Sequence, residues 1–393
     1  MDAEMASWKS TGTYVDEVPP LGANIFSGMW IFRGVDFFQT FSPTLKMTTL
    51  RWPVYGLRQV PREWHDTLRT TLAALGFAPS TADPSLFLHT ETSLPPFYIL
   101  VYVDDLVFAT VDTARLAHVK SELQKRHTCT DLGELRIYLG FQITRDRARR
   151  TISLTQSHMV HQVLQRFDFQ YSSPQSTPLP IGHSLSALPS DDILARYVAP
   201  GRHRPDHWKA AKRVMRYLCS TLGMGLVLGG RGPVVLSGHA DASWVDDLAT
   251  QRSSHGYTFS LVSGSVSWRS TRSSSVLSSS CEAEIYAGTM AVQDLRWLTY
   301  LLADWGEAPR SLPVLYVDNK AMIALCQEHR TKHIALRYFL ARELQQRGQL
   351  RLLYMASQAN TSDIFTKALP PCDHQRFCTV LGLVPTWPHL LIS

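Results

Sequence analysis

The stretch FYILVYVDDLVFAT, residues 97–110, sets two adjacent carboxylates, Asp104 and Asp105, between two apolar runs. Two unit charges about 4 Å apart repel by roughly 4 kcal/mol at an effective dielectric near 20, so a buried strand is a poor place for them. A surface turn removes that cost. Ile99 to Val103 and Leu106 to Phe108 therefore read as two β-strands joined by a two-residue hairpin at the acids, although Asn-Gly or Asp-Gly would suit the turn better. A stiff apolar support with paired carboxylates at its tip suits a divalent cation. A solvated acidic turn accounts for the same residues, and the stretch alone leaves both readings open.

Around this hairpin lies a chain of 393 residues, 45% hydrophobic and 18% charged, with enough apolar chain for two or three globular cores. No apolar run reaches the roughly 18 residues of a membrane span, and MDAEMASWKS lacks the regions of a signal peptide. An intracellular protein, of the cytoplasm or nucleus and without a membrane partner, is expected. The cysteines (Cys129, Cys219, Cys281, Cys326, Cys372 and Cys378) follow no paired framework and read as reduced thiols. CDHQRFC offers Cys372, His374 and Cys378 as candidate zinc ligands with no obvious fourth, which favours a tail without metal. The formal charge of +6 favours an anionic partner, nucleic acid being the usual one. TRDRARR (144–150) could track phosphates, or it is a solvated turn between strands.

Residues 61–76 show amphipathic helical spacing from Pro61 to Gly76, with Trp64, Leu68, Leu72 and Leu75 on one face, and a second helical pattern runs from Asp112 to about His127. YLGFQITRDRARRTISLTQ reads as another hairpin, YSSPQSTPLPIGHSLSALPSDD (171–192) as a linker, and PDHWKAAKRVMRYLC (205–219) as a basic helix. Beyond 229–232 the texture turns to strands. PVVLSGHADAS is an apolar strand expected to end at Asp241 and LPVLYVDNKA one expected to end at Asp318; open sheets place their sites at such strand ends. Between them, SSSCEAEIYAGTMAVQDLRWLTYLL opens with Ser279 and Glu282 as a capping box and carries Glu284 at the border of its packed face. NTSDIFTKAL puts Asp363 in the first turn of a final helix. Four carboxylates so placed could converge on two cations about 3.5–4 Å apart, which activate a water and stabilise the leaving oxygen of a phosphodiester. Taken singly, each is also an ordinary surface acid.

Taken in order, MDAEMASWKSTGTYVDEVPP, FFQTFSPTLKMTTLR, PVYGLRQVPREWH, STADPSLF, LVYVDDLVFAT, HWKAAKRVMRYL, GHADASWVDD, SSSCEAEIYAG, YVDNKAMIAL, RTKHI and SDIFTKALP resemble a known family. It is the reverse transcriptase and ribonuclease H region of copia-type LTR retrotransposon Pol polyproteins, and the resemblance covers nearly the whole chain. It implies a mixed α+β and α/β architecture. An incomplete palm- and fingers-like reverse transcriptase domain (1–170) leads to a linker and basic connection helix (171–232), a ribonuclease H-like mixed sheet (233–370) and a C-terminal tail (371–393). It also implies magnesium as cofactor and an RNA–DNA hybrid or other nucleic acid as partner. Asp104 and Asp105 then match the metal ligands of the polymerase YxDD hairpin, and Asp241, Glu284, Asp318 and Asp363 match the catalytic, metal-binding carboxylates of ribonuclease H. His333 of TKHI also matches a family position, though a helix-start histidine contacting backbone is its plainer reading.

The chain departs from that family's pattern in three places. MTTLR runs straight into WPVYGLRQ, where a block resembling MDVKTAFLNG would bring the palm's third carboxylate; Asp36 of GVDFF belongs to a different block and does not replace it. The basic stretch between WIFR and GVDFF and the segment before ILARYVAPG are also missing. A truncated copy follows from these losses. It should lack polymerase activity, because the paired cations lose a bridging ligand, and it should leave Ile99, Val101 and Val107 partly uncovered where a strand is gone. The ribonuclease H half keeps its acids and its elements and is expected to fold alone. A non-catalytic nucleic-acid-binding remnant, or an unstable product of a decaying element, is the alternative.

Overall fold

The computed structural model describes residues 14–15, 49–50, 60–182, 205–247, 250–307, 309, 311–327 and 339–386. Asp36, His333 and residues 183–192 of the linker lie outside the described residues. Two compact units divide the chain, Met1–Asp131 and Leu132–Ser393.

In the first unit, β1 (Tyr14–Val15) and β2 (Thr49–Leu50) pair antiparallel. Helix α1 (Val60–Ala74) precedes an antiparallel sheet of β3 (Phe77–Pro79), β4 (Leu86–His89), β5 (Phe97–Tyr102) and β6 (Asp105–Thr110), with α2 (Thr113–Arg126) after it. The strand period turns Phe97, Ile99 and Val101 to one face, where they meet Leu68 and Leu72 of α1 and Val119 and Leu123 of α2. Ile99 is fully buried and Val101 nearly so, which corrects the expectation of an uncovered face. The two helices supply the cover, and Val107 alone of the three is half-buried. Helix α2 starts where the sequence places it, with the Asp112 carboxylate accepting from the Arg115 backbone N–H at 3.0 Å.

The second unit opens with β7 (Ile137–Tyr138), β8 (Phe141–Asp146), β9 (Thr151–Thr155), α3 (Ser157–Arg166), α4 (Pro205–Ser220) and β10 (Met224–Gly229). It continues through β11 (Leu236–Asp247), β12 (Arg252–Leu261), β13 (Gly264–Arg272), α5 (Ser280–Asp304), β14 (Val314–Val317), α6 (Lys320–Gln327), α7 (Phe339–Gln346) and β15 (Arg351–Tyr354). Two 3-10 turns, Ser357–Ala359 and Thr361–Phe365, lead to α8 (Pro371–Val380) and β16 (Leu383–Pro385). One sheet is antiparallel, in the order β16-β10-β9-β8-β7. Residues 371–386, read from sequence as part of a tail, thus form a helix and an edge strand, and Val227 N–H donates to the Gly382 carbonyl at 2.9 Å.

The other sheet is mixed, in the order β13-β12-β11-β14-β15: β11, β12 and β13 are antiparallel neighbours, whereas β14 and β15 run parallel to β11. Helix α5 lays Ile285, Val292, Leu295, Leu298 and Leu302 against Leu236, Phe259, Leu315 and Val317. Burying each such side chain contributes roughly 1.5–3 kcal/mol. The Ser279 hydroxyl caps α5 by accepting from Glu282 N–H at 3.1 Å, but the Glu282 carboxylate accepts from Ser278 N–H and Oγ, so the reciprocal half of the box is shifted by one residue.

Two glycines fix close approaches. Gly256 on β12 faces Asp241 across the ladder, and a Cβ there would lie 2.6 Å from Phe365 Cβ and 3.0 Å from Thr366 Cγ2, so its bare backbone lets the second 3-10 turn dock. Gly288 of α5 faces the free end of Met322. Gly256→Ala should cost about 1–3 kcal/mol in urea unfolding, as overpacking does. Gly288→Ala should cost clearly less, because Met322 can swing away and alanine is about 0.5–1 kcal/mol better in a helix interior. Equal losses in the two variants would contradict this packing.

Candidate active site

The mixed sheet itself gathers the acids. Asp241 is wholly buried on the central strand β11, in mid-strand and not at its end, since β11 continues through a register shift to Asp247 with Val245 at φ 51°. The parallel ladder sets Ala240 beside Val317, so Asp318, the first residue past β14, emerges next to Asp241. Glu284 comes from the second turn of α5, between the buried Ala283 and Ile285. One carboxylate oxygen from each of Asp241, Glu284 and Asp318 lies within 4.8 Å of the others.

Asp363 is not one of those three. It sits in the second 3-10 turn, not in an α-helix, because Asn360 caps that turn by accepting from Ser362 N–H while donating to the Ala240 carbonyl at 2.9 Å. It faces Asp241 directly and also through Lys367, whose Nζ lies 3.0 Å from Asp363 Oδ1 and 3.2 Å from Asp241 Oδ1. Thr366 Oγ1 donates to the other Asp241 oxygen, and Ser357 Oγ donates to Asp318 Oδ2 at 2.7 Å. Lys367, Thr366 and Ser357 escape the sequence reading. For the first two, the signal is their place three and four residues after Asp363 in DIFTK.

Charge governs this centre. Burial, and then the charges of Asp241 and Asp318, push the Glu284 carboxyl up to about 9. Burial and Asp241 push Asp363 up to about 6 against the opposing pull of Lys367. Burial works against the charge of Lys367, but Asp241 and Asp363 outweigh it and raise its pKa.

The YVDD hairpin differs. Tyr102 pairs with Asp105, so the turn residues are Val103 and Asp104, one position earlier than the acids suggested. Val103 takes φ 53°, a left-handed conformation strained for a β-branched residue, and Trp64 Nε1 of α1 clamps its carbonyl at 2.7 Å. Asp104 and Asp105 are exposed, and among the described residues no third His, Cys, Asp or Glu gathers with them as a ligand group. Of the other candidate ligands, Cys372 is exposed, while Cys378 Sγ lies 3.7 Å from His374 Nδ1 in the buried face of α8.

The strand order and directions, with acids at the centre, make the mixed sheet a ribonuclease H-like fold. Residues 23–181 match the family described as reverse transcriptase (RNA-dependent DNA polymerase). The chain is 32% identical over 370 residues to the retrovirus-related Pol polyprotein from transposon RE2 of Arabidopsis thaliana, covering 86% of this chain and 25% of that protein. Against the polyprotein from transposon TNT 1-94 of Nicotiana tabacum, identity is 26% over 489 residues, covering 94% of this chain and 36% of that protein, so about 120 aligned positions have no counterpart here. The chain belongs to the copia-type retrovirus-related Pol polyproteins of transposons, and it spans 25% to 36% of the length of these two relatives. Among solved structures, a foamy viral protease–reverse transcriptase in complex with double-stranded DNA matches at 15% identity and TM-score 0.41, covering 78% of this chain and 51% of that one. The N-terminal ribonuclease H domain of rv2228c from Mycobacterium tuberculosis matches at 12% identity and TM-score 0.26, covering 37% and 96%.

A pH dependence follows. In the cation-free folded protein Glu284 keeps its proton up to about 9, against 4.5 for an ordinary glutamate. Its contribution to stability is complete below 4.5 and is lost as pH rises through about 9; Asp363 acts in the same sense between 3.8 and about 6. Glu284→Gln should therefore flatten the fall of Tm with pH in EDTA and exceed the parent above about pH 8 by several degrees. Parallel Tm curves for the two proteins would contradict the assignment.

Proposed function

We propose that the chain is a retrotransposon-derived protein whose ribonuclease H-like domain (233–370) hydrolyses the RNA strand of RNA–DNA hybrids with magnesium, beside a truncated reverse transcriptase-like segment (1–170) that does not polymerise. The observation that carries this reading is the approach of Asp241, Glu284 and Asp318 within 4.8 Å from three separate elements. An all-oxygen donor set fits a hard divalent cation, and magnesium in particular. Bound there, a pair of such ions supplies an activated water and stabilises the departing oxygen of the phosphodiester. Asp241, Glu284 and Asp318 would hold one ion, and Asp241 with Asp363 the other. Ser357 and Thr366 orient the Asp318 and Asp241 carboxylates through their hydroxyl donors. The formal charge of +6 suits a polyanionic partner, recognised by backbone shape and the 2′-hydroxyl more than by base identity.

A non-catalytic nucleic-acid-binding remnant is the second reading, and the roughly 120 unmatched positions favour it. Two assays on the full chain separate them. With magnesium it should cleave the RNA of a labelled hybrid, and Asp318→Asn should be at least about 100-fold slower, since losing a ligand costs no less than losing its outer support. Absence of cleavage by the parent, or equal cleavage by both, removes the hydrolase. Primer extension should be nil, and nucleotide addition abolished by Asp105→Asn would sink the polymerase half of the proposal.

A further inference from the structure

The ammonium of Lys367 stands between two carboxylates that the hydrolase reading reserves for cations, 3.2 Å from Asp241 Oδ1 and 3.0 Å from Asp363 Oδ1. Among the described residues no other lysine or arginine pairs with either acid. Asp363, outside the three-carboxylate group, faces Asp241 directly and shares this side chain with it. We propose that Lys367 is a displaceable counter-ion: it joins Asp241 to Asp363 when no divalent cation bridges them, and it must leave those oxygens when one does. The inference rests on the hydrolase reading and adds a regulation to it. Lys367 touches one member of the Asp241, Glu284 and Asp318 group, whereas it holds both acids of the Asp241 and Asp363 pair, so the ion shared by that pair meets the stronger competition.

Magnesium binds oxygen directly at about 2.0–2.1 Å, whereas an ammonium donates hydrogen bonds at about 3 Å. Both draw on the same lone pairs, and at such range two positive charges repel strongly in a partly desolvated site. The lysine side chain is 36% exposed and water screens part of this repulsion, whereas Asp241, with no exposure, has no water to turn to in its place. Its backbone is fixed, because Lys367 N–H donates to the Asp363 carbonyl at 2.9 Å. Rotation of the side chain is what remains. Lys367 borders a cleft of about 270 Å³ whose lining includes Asp246 and Asp247, which leaves the side chain room to turn. Asp247 is already paired with Arg272 at 2.6 Å, and Asp246 accepts from Ser254 Oγ at 2.6 Å, so both acids there are already engaged.

The test is Mn2+ binding to the full chain, followed by calorimetry and by the electron paramagnetic resonance of free Mn2+. The parent should show one tighter and one weaker ion, both sensitive to Asp241→Asn. Lys367→Met should tighten the weaker ion by about tenfold, a usual size for coupling between sites, and Lys367→Gln should act in the same direction. Lys367→Arg, which keeps the charge, should resemble the parent. In EDTA the Met and Gln variants should melt below the parent and gain more from Mn2+ than it does. Unchanged or weaker binding of the second ion in both uncharged variants overturns the counter-ion while leaving the hydrolase reading in place. Absence of any Asp241-dependent Mn2+ binding in the parent overturns that reading, and the counter-ion falls with it.

Discussion

Like charges buried at the middle of a sheet are the constraint around which the C-terminal unit is arranged. Asp241 has no exposure on the central strand, the parallel register of β14 brings Asp318 beside it, and α5 adds Glu284. Left bare, carboxylates in such an interior cost several kcal/mol. The fold compensates in three ways: a proton retained on Glu284, the Lys367 ammonium shared between Asp241 and Asp363, and hydroxyl donors from Thr366 and Ser357. The compensation depends on docking the second 3-10 turn, and that depends on Gly256 and on the buried Asn360 bond to β11. Sheet register, turn geometry and electrostatics are thus one problem with one solution.

The hairpin acids meet the opposite condition. Asp104 and Asp105 stand in water at the tip of β5 and β6, where solvent does the compensating and no protein group is needed. A site that water can satisfy is not preorganised for a cation. The difference between the two acidic places is therefore burial, since both present carboxylates on a stiff β support.

Much of this was legible beforehand because it is written in local chemistry. The capping serine of α5, its apolar spacing, the Asp112 cap of α2 and the strands before Asp318 all follow from side chains acting on their own neighbourhood. Asp241, Glu284 and Asp318, which the structure gathers, were candidates through resemblance and, for Asp318, through a strand end, while Asp363 stands outside that group. What escaped depends on distant pairing. Asp241 lies mid-strand because β12 pairs on past it as far as Asp247, and no periodicity in GHADASWVDD announces that extension. The hairpin turn moved by one residue because Tyr102 pairs with Asp105, putting a strained valine where turn chemistry argues for glycine or asparagine. Lys367 was invisible as a partner of Asp241 because 126 positions separate them.

The burial of Ile99 and Val101 bears on what a deletion can take from a domain. A sheet with one face packed needs helices over that face, and α1 and α2 flank the four strands closely enough in sequence to cover it without the missing block. Tertiary closure here rests on elements that are sequence neighbours and whose contacts are local. A ligand constellation has no such tolerance, because each oxygen it uses comes from a particular strand or helix and no neighbour can stand in for it. Packing is redundant in this sense and a ligand constellation is not, so burial of a core says nothing of whether a neighbouring acidic site is complete.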